Sequence, residues 1–124
     1  MTKITDSDSK RLREIIIEGI QEKKGKQIVD IDLTKINTSV CEFFIISHGD
    51  SDTQVKAIAK SIEEKVKQIL NEKAYHREGY ENAQWILLDY NSVVVHIFQK
   101  EIRDHYKLEA LWADGTISQI GEVE

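Results

Sequence analysis

Two fragments of this sequence carry the residue types of metal-assisted phosphate chemistry. Asp30-Ile31-Asp32 sets two carboxylates two positions apart, which on a β-strand puts both on one side, within reach of a shared divalent cation. Gly49-Asp50-Ser51 stands at an expected helix start, where unpaired backbone amides can hold a phosphate. Magnesium-dependent nucleotidyl transfer needs the glycine-serine turn first and the acidic pair after it. Here that order is reversed, and Asp50 sets a negative charge beside any bound phosphate. The plainer reading makes Asp30 and Asp32 solvated residues on one exposed strand face and Ser51 the cap of its helix. His48, His76, His96 and His105 share no short zinc spacing. The single cysteine, Cys41, can form neither an internal disulfide nor a cysteine-based metal site, and with no visible histidine and acid partners it reads as a buried structural thiol. No cofactor, no metal and no catalytic residue is expected.

The elements that position these residues follow from periodicity. After a polar stretch that can cap at Asp6 to Ser9, the residues Leu12, Ile15, Ile16, Gly19 and Ile20 recur at helical spacing, and Gly25 reads as the stop. Gln27 to Leu33 and Cys41 to Ser47 are short, apolar and β-branched or aromatic, and predict two strands. Ser51-Asp52-Thr53-Gln54 has the spacing of a capping box, in which the serine hydroxyl and the glutamine side chain satisfy amides at a helix start. Val55, Ile58, Ala59, Ile62, Val66, Ile69 and Leu70 then keep one apolar stripe that must lie along a sheet. Tyr75 to Ala83 is polar and reads as a surface loop. Two further strands are expected at Gln84 to Tyr90 and Val93 to Gln99.

Only Asn91 and Ser92 separate those last strands, a length that favours a tight hairpin and fixes the register by counting. Pairing Tyr90 with Val93 gives a core face of Ile86, Leu88, Tyr90, Val93, Val95 and Ile97. The opposite face then carries Trp85 opposite Phe98, Leu87 opposite His96 and Asp89 opposite Val94. Tryptophan beside leucine at a charged edge has the composition of protein-protein hot spots. The same face can equally lie beneath the chain's own helices, because sheets of α/β domains are often covered on both sides. In Arg103 to Trp112, Leu111 and Trp112 read as helix packing onto the sheet.

Composition narrows the function classes. One domain of 124 residues can bury roughly two-thirds of the surface its unfolded chain exposes. Residues 1–124 are read as that domain, with a core over about 7–113 and a polar, loose tail over 114–124. With 17 basic and 22 acidic side chains the net charge is -5, which argues against broad attachment to phosphate backbones, so little or no direct nucleic-acid binding is expected. No apolar run is long enough to cross a bilayer, and Met1 to Lys10 has neither a secretory nor a transit character, so a cytoplasmic protein is expected.

Glu78-Gly79, Ala83 to Tyr90 (AQWILLDY), Val93 to Phe98 (VVVHIF) and Arg103 to Trp112 (RDHYKLEALW) together closely resemble the hallmark of the Iojap-related ribosomal silencing factors. The likeness extends upstream through Cys41 to Ser47, Gly49, Ser51 and Gln54 to Ala59. Asn91-Ser92 replaces the glycine-aspartate turn usual in that family, and His48-Gly49 stands where threonine-glycine is more usual. The resemblance implies a single-domain α/β fold: a mixed β-sheet with flanking helices, similar to the nucleotidyltransferases but without their catalytic residues. It also implies binding to the large ribosomal subunit through ribosomal protein L-fourteen, on the surface that meets the small subunit. Subunit joining is then blocked sterically and translation falls when nutrients are scarce, with a homodimer as the possible free form. The candidate partner surface is Trp85, Leu87, Asp89, Val94, His96 and Phe98, extended by Arg103, Tyr106 and Glu109. The alternatives kept in view are a metal-dependent nucleotidyltransferase-like enzyme and a dimeric adaptor using the same apolar patch.

Overall fold

In the computed structural model, which describes residues 6–36, 41–112 and 115–121, four helices flank a six-stranded mixed sheet. The elements are α1 (Asp6–Glu22), β1 (Lys26–Asp32), β2 (Phe43–Gly49), α2 (Asp52–Leu70), β3 (His76–Glu78), β4 (Trp85–Asp89), β5 (Val93–Gln99), α3 (Lys100–Tyr106), α4 (Leu108–Leu111) and β6 (Thr116–Ile120). Strand order is β3-β4-β5-β2-β1-β6, with β2 and β5 parallel and every other neighbour antiparallel. All seven residues of β2 are buried, as a central strand covered on both faces requires.

One face of the sheet is aliphatic. Leu12, Ile15, Ile16 and Ile20 of α1 and Val55, Ile58, Ala59, Ile62 and Val66 of α2 pack with Ile45, Ile86, Leu88, Val93, Val95 and Ile97 in a single cluster. Each fully buried isoleucine or leucine contributes about 1.5–3 kcal/mol, so this face supplies most of the fold's driving force. Ile69 departs from the expected stripe and stays 44% exposed near the end of α2. The two helices approach closely at Gly19, where a Cβ would lie 3.1 Å from the Ile62 Cα, and the Ser61 hydroxyl donates to the Gly19 carbonyl at 2.8 Å.

The helix ends follow their caps. Ser51 Oγ accepts from the Gln54 amide at 3.1 Å, while Gln54 Oε1 accepts from the Asp50 amide at 2.7 Å, one residue earlier than an ordinary capping box. The Gln54 amide group also donates to the Lys23 and Lys24 carbonyls, which ties the start of α2 to the end of α1. Past α1 it is Lys24 that takes the left-handed conformation, at φ 59°. Gly25 serves packing instead: a Cβ there would meet Ile20 Cγ2 at 2.3 Å. The helix already begins at Asp6, so residues ahead of it, and the side chains of Asp6 and Ser7 in the expected capping stretch, lie outside those described.

Two strands were not expected. β3 sits inside the expected loop with all three residues exposed, held to β4 by backbone pairing alone. β6 lies within the expected loose tail and pairs with β1 from Ile28↔Ile120 to Asp32↔Thr116. Neither buries a strong apolar face, so neither carried a periodic signal. The β4–β5 register matches the counted one at every position, from Trp85↔Phe98 to Asp89↔Val94. Its turn places Asn91 at φ 74°, with the Asn91 amide donating to Asp89 Oδ1 at 2.7 Å.

Ser51→Ala removes an N-cap and leaves the Gln54 amide without its acceptor; the expected outcome is a loss of about 1 kcal/mol in urea unfolding with unchanged m-value.

Candidate functional site

The second face of the sheet is aromatic and polar, built where β4, β5 and β2 meet under the C-terminal helices. Parallel pairing sets Phe44 beside Val94, Ile46 beside His96 and His48 beside Phe98, while the hairpin sets Trp85 and Leu87 on the neighbouring strand β4. The rings form a continuous chain. Tyr106 lies 5.0 Å from Trp85, Trp85 stacks on Phe98 at 4.9 Å, His96 meets the edge of Phe44 at 5.1 Å, and Phe44 meets Trp112 at 5.0 Å, nearly perpendicular. Such pairs add about 0.5–1.5 kcal/mol each beyond area burial and fix ring orientation.

Exposure divides the nine expected residues. Phe98 is fully buried, and Val94 and His96 are nearly so; they support the surface from beneath. Trp85, Leu87, Asp89 and Glu109 are half-buried, and Tyr106 is 51% exposed. This face is therefore covered only in part: helix α3 packs over β5 and β2, while Trp85 and Leu87 on β4 keep an open side. Leu111, expected to pack onto the sheet, is instead 73% exposed, and Trp112 alone turns inward against Phe44. Leu108 is the residue of α4 buried against the sheet, and Trp112 follows just past the helix end.

Most polar groups of this face are paired with one another; His96 Nε2 is buried without a hydrogen-bond partner among the described residues. The Trp85 indole N–H donates to His96 Nδ1 at 3.1 Å, which fixes the imidazole as neutral with its proton on Nε2. Burial pushes the His96 pKa down to about 4. Arg103, offered by sequence as a surface residue, is buried. Its guanidinium donates to Glu109 Oε1 at 2.6 and 2.9 Å, to the Lys26 carbonyl at 3.3 Å, and contacts His48 Nδ1 at 2.9 Å. Asp89 accepts from the hairpin turn and has no role in the ring chain.

The residues that suggested phosphate chemistry are placed elsewhere. Asp30 is not a solvated strand residue: it lies buried on the α1 side, with Arg13 Nε donating to its carboxylate at 2.5 Å. Desolvation raises its pKa, and Arg13 opposes that rise. Asp32 Oδ1 accepts from the Thr34 amide and hydroxyl, which hold its carboxyl below the ordinary range against a desolvation that acts the other way. Among the described residues no group of three or more histidine, cysteine, aspartate or glutamate side chains is arranged to hold a metal ion. Cys41 is buried, its thiol pushed up to about 12 by desolvation, as a structural role requires. A groove of about 580 Å³ between α2 and β3 is lined by Glu63, Lys67, Lys73, Tyr75 and Arg77, with both signs of charge, and Arg77 and Tyr80 already engage Glu63.

Sequence reasoning missed His48 and Phe44 as parts of this face, whereas the expected packing of Trp112 onto the sheet is met at Phe44. Alternation along Phe43-Phe44 does put Phe44 on the side opposite the aliphatic core. What it cannot supply is that β2 pairs beside β5, which alone brings Phe44 to His96.

The family model described as "Ribosomal silencing factor during starvation" matches residues 6–124. The ribosomal silencing factor RsfS of Halalkalibacterium halodurans is 39% identical over 106 residues, covering 86% of this chain and 89% of that one. An Iojap-related mitochondrial protein of Arabidopsis thaliana is 34% identical over 77 residues, covering 58% of this chain and 41% of that one. A crystal structure of a Chromobacterium violaceum protein superposes with a TM-score of 0.80 at 34% identity, covering 99% of this chain and 98% of that one.

The depressed His96 pKa has a stability consequence. An unfolded imidazole takes up a proton near pH 6.5 and the buried one near 4, so stability is complete above 6.5 and falls as pH drops between those values. At about 1.4 kcal/mol per pKa unit the loss is on the order of 3 kcal/mol. His96→Asn keeps an acceptor for Trp85 but does not titrate; urea titrations from pH 7 to about pH 4 should show that much less acid loss in this variant than in the parent.

Proposed function

The chain belongs to the ribosomal silencing factor family, and from that premise we propose that it is a non-catalytic cytoplasmic protein that docks on the large ribosomal subunit. Its proposed contact is ribosomal protein L-fourteen, its effect is to bar the small subunit by bulk, and its outcome is repressed translation. No bond is made or broken in this mechanism.

The observation that carries the reading is the half-open Trp85–Tyr106 pair. Two rings 5.0 Å apart, one half-exposed on α3 and one half-buried on β4, stand beside the partly open Leu87. Rings held this way lose little rotamer freedom on binding, which is why tryptophan and tyrosine dominate interface hot spots. The indole N–H already has its acceptor in His96, so a partner covering Trp85 leaves no polar group stranded. The net charge of -5 suits a basic partner, because complementary charge speeds encounter.

The enzyme alternative is weakened at its own residues. Asp30 is held by Arg13, Asp32 by Thr34, and the amides of Asp50 and Gln54 at the start of α2 are occupied by Gln54 Oε1 and Ser51 Oγ. A second copy of the chain can occupy the same aromatic patch when no ribosome is present, which makes a homodimer the competing form rather than a separate function.

Co-sedimentation with isolated large subunits tests the docking surface. Tyr106→Ala and Trp85→Ala should each weaken binding by tenfold or more, about 1.5–2 kcal/mol for a hot-spot ring, while circular dichroism shows both variants folded. In light scattering, the parent chain should slow re-association of the subunits and Tyr106→Ala should not. Unchanged sedimentation of folded variants refutes this surface.

A further inference from the structure

The helices that carry Tyr106 and frame Trp85 are short, seven residues in α3 and four in α4, too short to hold their place by helix propensity. One buried guanidinium joins them to the sheet. Arg103 on α3 reaches Glu109 on α4, the Lys26 carbonyl on β1 and His48 on β2, linking four elements through one side chain. His48 is 2% exposed and Arg103 6% exposed, so the contact between them is shielded from water.

The chemistry of that contact is one-sided. A guanidinium is always charged, donates through every nitrogen and accepts through none. His48 Nδ1, 2.9 Å from Arg103 Nη1, must therefore present a lone pair, with the ring proton on Nε2. A proton added to Nδ1 would set N–H against N–H and cation against cation in a buried space, and the hydrogen bond could not survive it. We propose that His48 is a positioning residue for the docking face: as a neutral acceptor it holds Arg103, and through Arg103 it clamps α3 and α4 over the sheet, so that its protonation releases the clamp and disorders the Tyr106–Trp85 pair.

The charged groups around His48 fit this role. Arg103 and Lys100 of α3 oppose its protonation, whereas Asp50, in the turn before α2, and Asp104 of α3 favour it. Burial and Arg103 prevail, so the ring titrates below its ordinary 6.5 and is neutral at neutral pH. Asp50 and Asp104 are largely occupied with other cations, Lys26 at 3.9 Å and Lys100 at 3.2 Å. Glu109, the remaining acid of the network, takes two guanidinium hydrogens and keeps Arg103 oriented toward β2. The clamp is therefore closed near pH 7 and opens as pH falls.

The effect on docking rests on the reading given above, so the test has a readout that does not. Both tryptophans, Trp85 and Trp112, sit in the ring chain, and near-ultraviolet circular dichroism of the free chain reports their packing. As pH falls below about 7.5 the parent should lose its near-ultraviolet signal before its far-ultraviolet spectrum changes, and its affinity for isolated large subunits should fall by about tenfold, the scale of one lost hydrogen bond to a charged group. His48→Asn places a carbonyl oxygen where Nδ1 stands and cannot be protonated there; both signals should stay flat. His76→Asn, on the exposed strand β3, should keep the parent's transition.

Three outcomes overturn the clamp: a parent near-ultraviolet signal that holds until the far-ultraviolet spectrum itself collapses, the same transition in His48→Asn, or its disappearance in His76→Asn. A His48-dependent ring signal in a chain that does not sediment with large subunits at either pH supports the clamp and refutes the docking surface alone.

Discussion

Parallel pairing of β2 with β5 is the constraint from which the rest of this structure follows. Parallel neighbours cannot be joined by a tight turn, so the chain must leave the sheet and return, and α2 with its stripe of Val55, Ile58, Ile62 and Val66 makes that passage on one face. The antiparallel strand β4 is laid down on the way back, which puts the hairpin at the side of the sheet remote from β1. Two central strands, β2 and β5, are then buried on both faces, and the face opposite α1 and α2 is covered by the C-terminal helices together with Leu33, Ile36 and Cys41 of the β1–β2 connection.

The two faces are held by different physics. On the α1–α2 side the cluster is aliphatic and extensive, so its stability comes from area removed from water and tolerates exchange of one branched residue for another. On the other side the area is smaller, and geometry is supplied by rings at right angles and by directional hydrogen bonds from Trp85 and Arg103. A directional network fixes orientation but fails when one member is lost, because the others are left buried without partners. That contrast favours the second face for the proposed docking surface: a partner reads the position of a ring, not the total of buried area.

Much of this was legible before any coordinates. The hairpin register follows from a two-residue turn and the two-residue alternation of a strand, both strictly local, and it placed Trp85, Leu87 and His96 on one face. The stripe of α2 and its Ser51 cap were likewise local signals. What stayed hidden depends on contacts far apart in sequence. Asp30 looked solvated because nothing nearby predicts Arg13 above it, and Arg103 looked like a surface residue because its partners, His48 and the Lys26 carbonyl, are more than fifty positions away. Strands β3 and β6 were invisible for another reason: they are edge strands whose backbones pair while their side chains face water, and such strands carry little hydrophobic pattern.

The proposed occlusion of one ribosomal subunit by a chain of this size would make a specific demand on the contact. The bound protein must resist displacement by a far larger competitor surface, so its residence must come from a slow off-rate, and that comes from fully desolvated anchors rather than from a wide polar rim. Trp85 meets this demand because its indole N–H is satisfied internally by His96 and its ring is backed by the fully buried Phe98. A partner covering that ring gains apolar burial without having to supply a polar match. Tyr106 completes the anchor from a separate helix, and its place over Trp85 is set by the contacts of α3 with the sheet. In the proposed mechanism the strength of silencing is tied to how firmly a seven-residue helix is held, which makes the interior of the protein, and not only its surface, part of the proposed docking site.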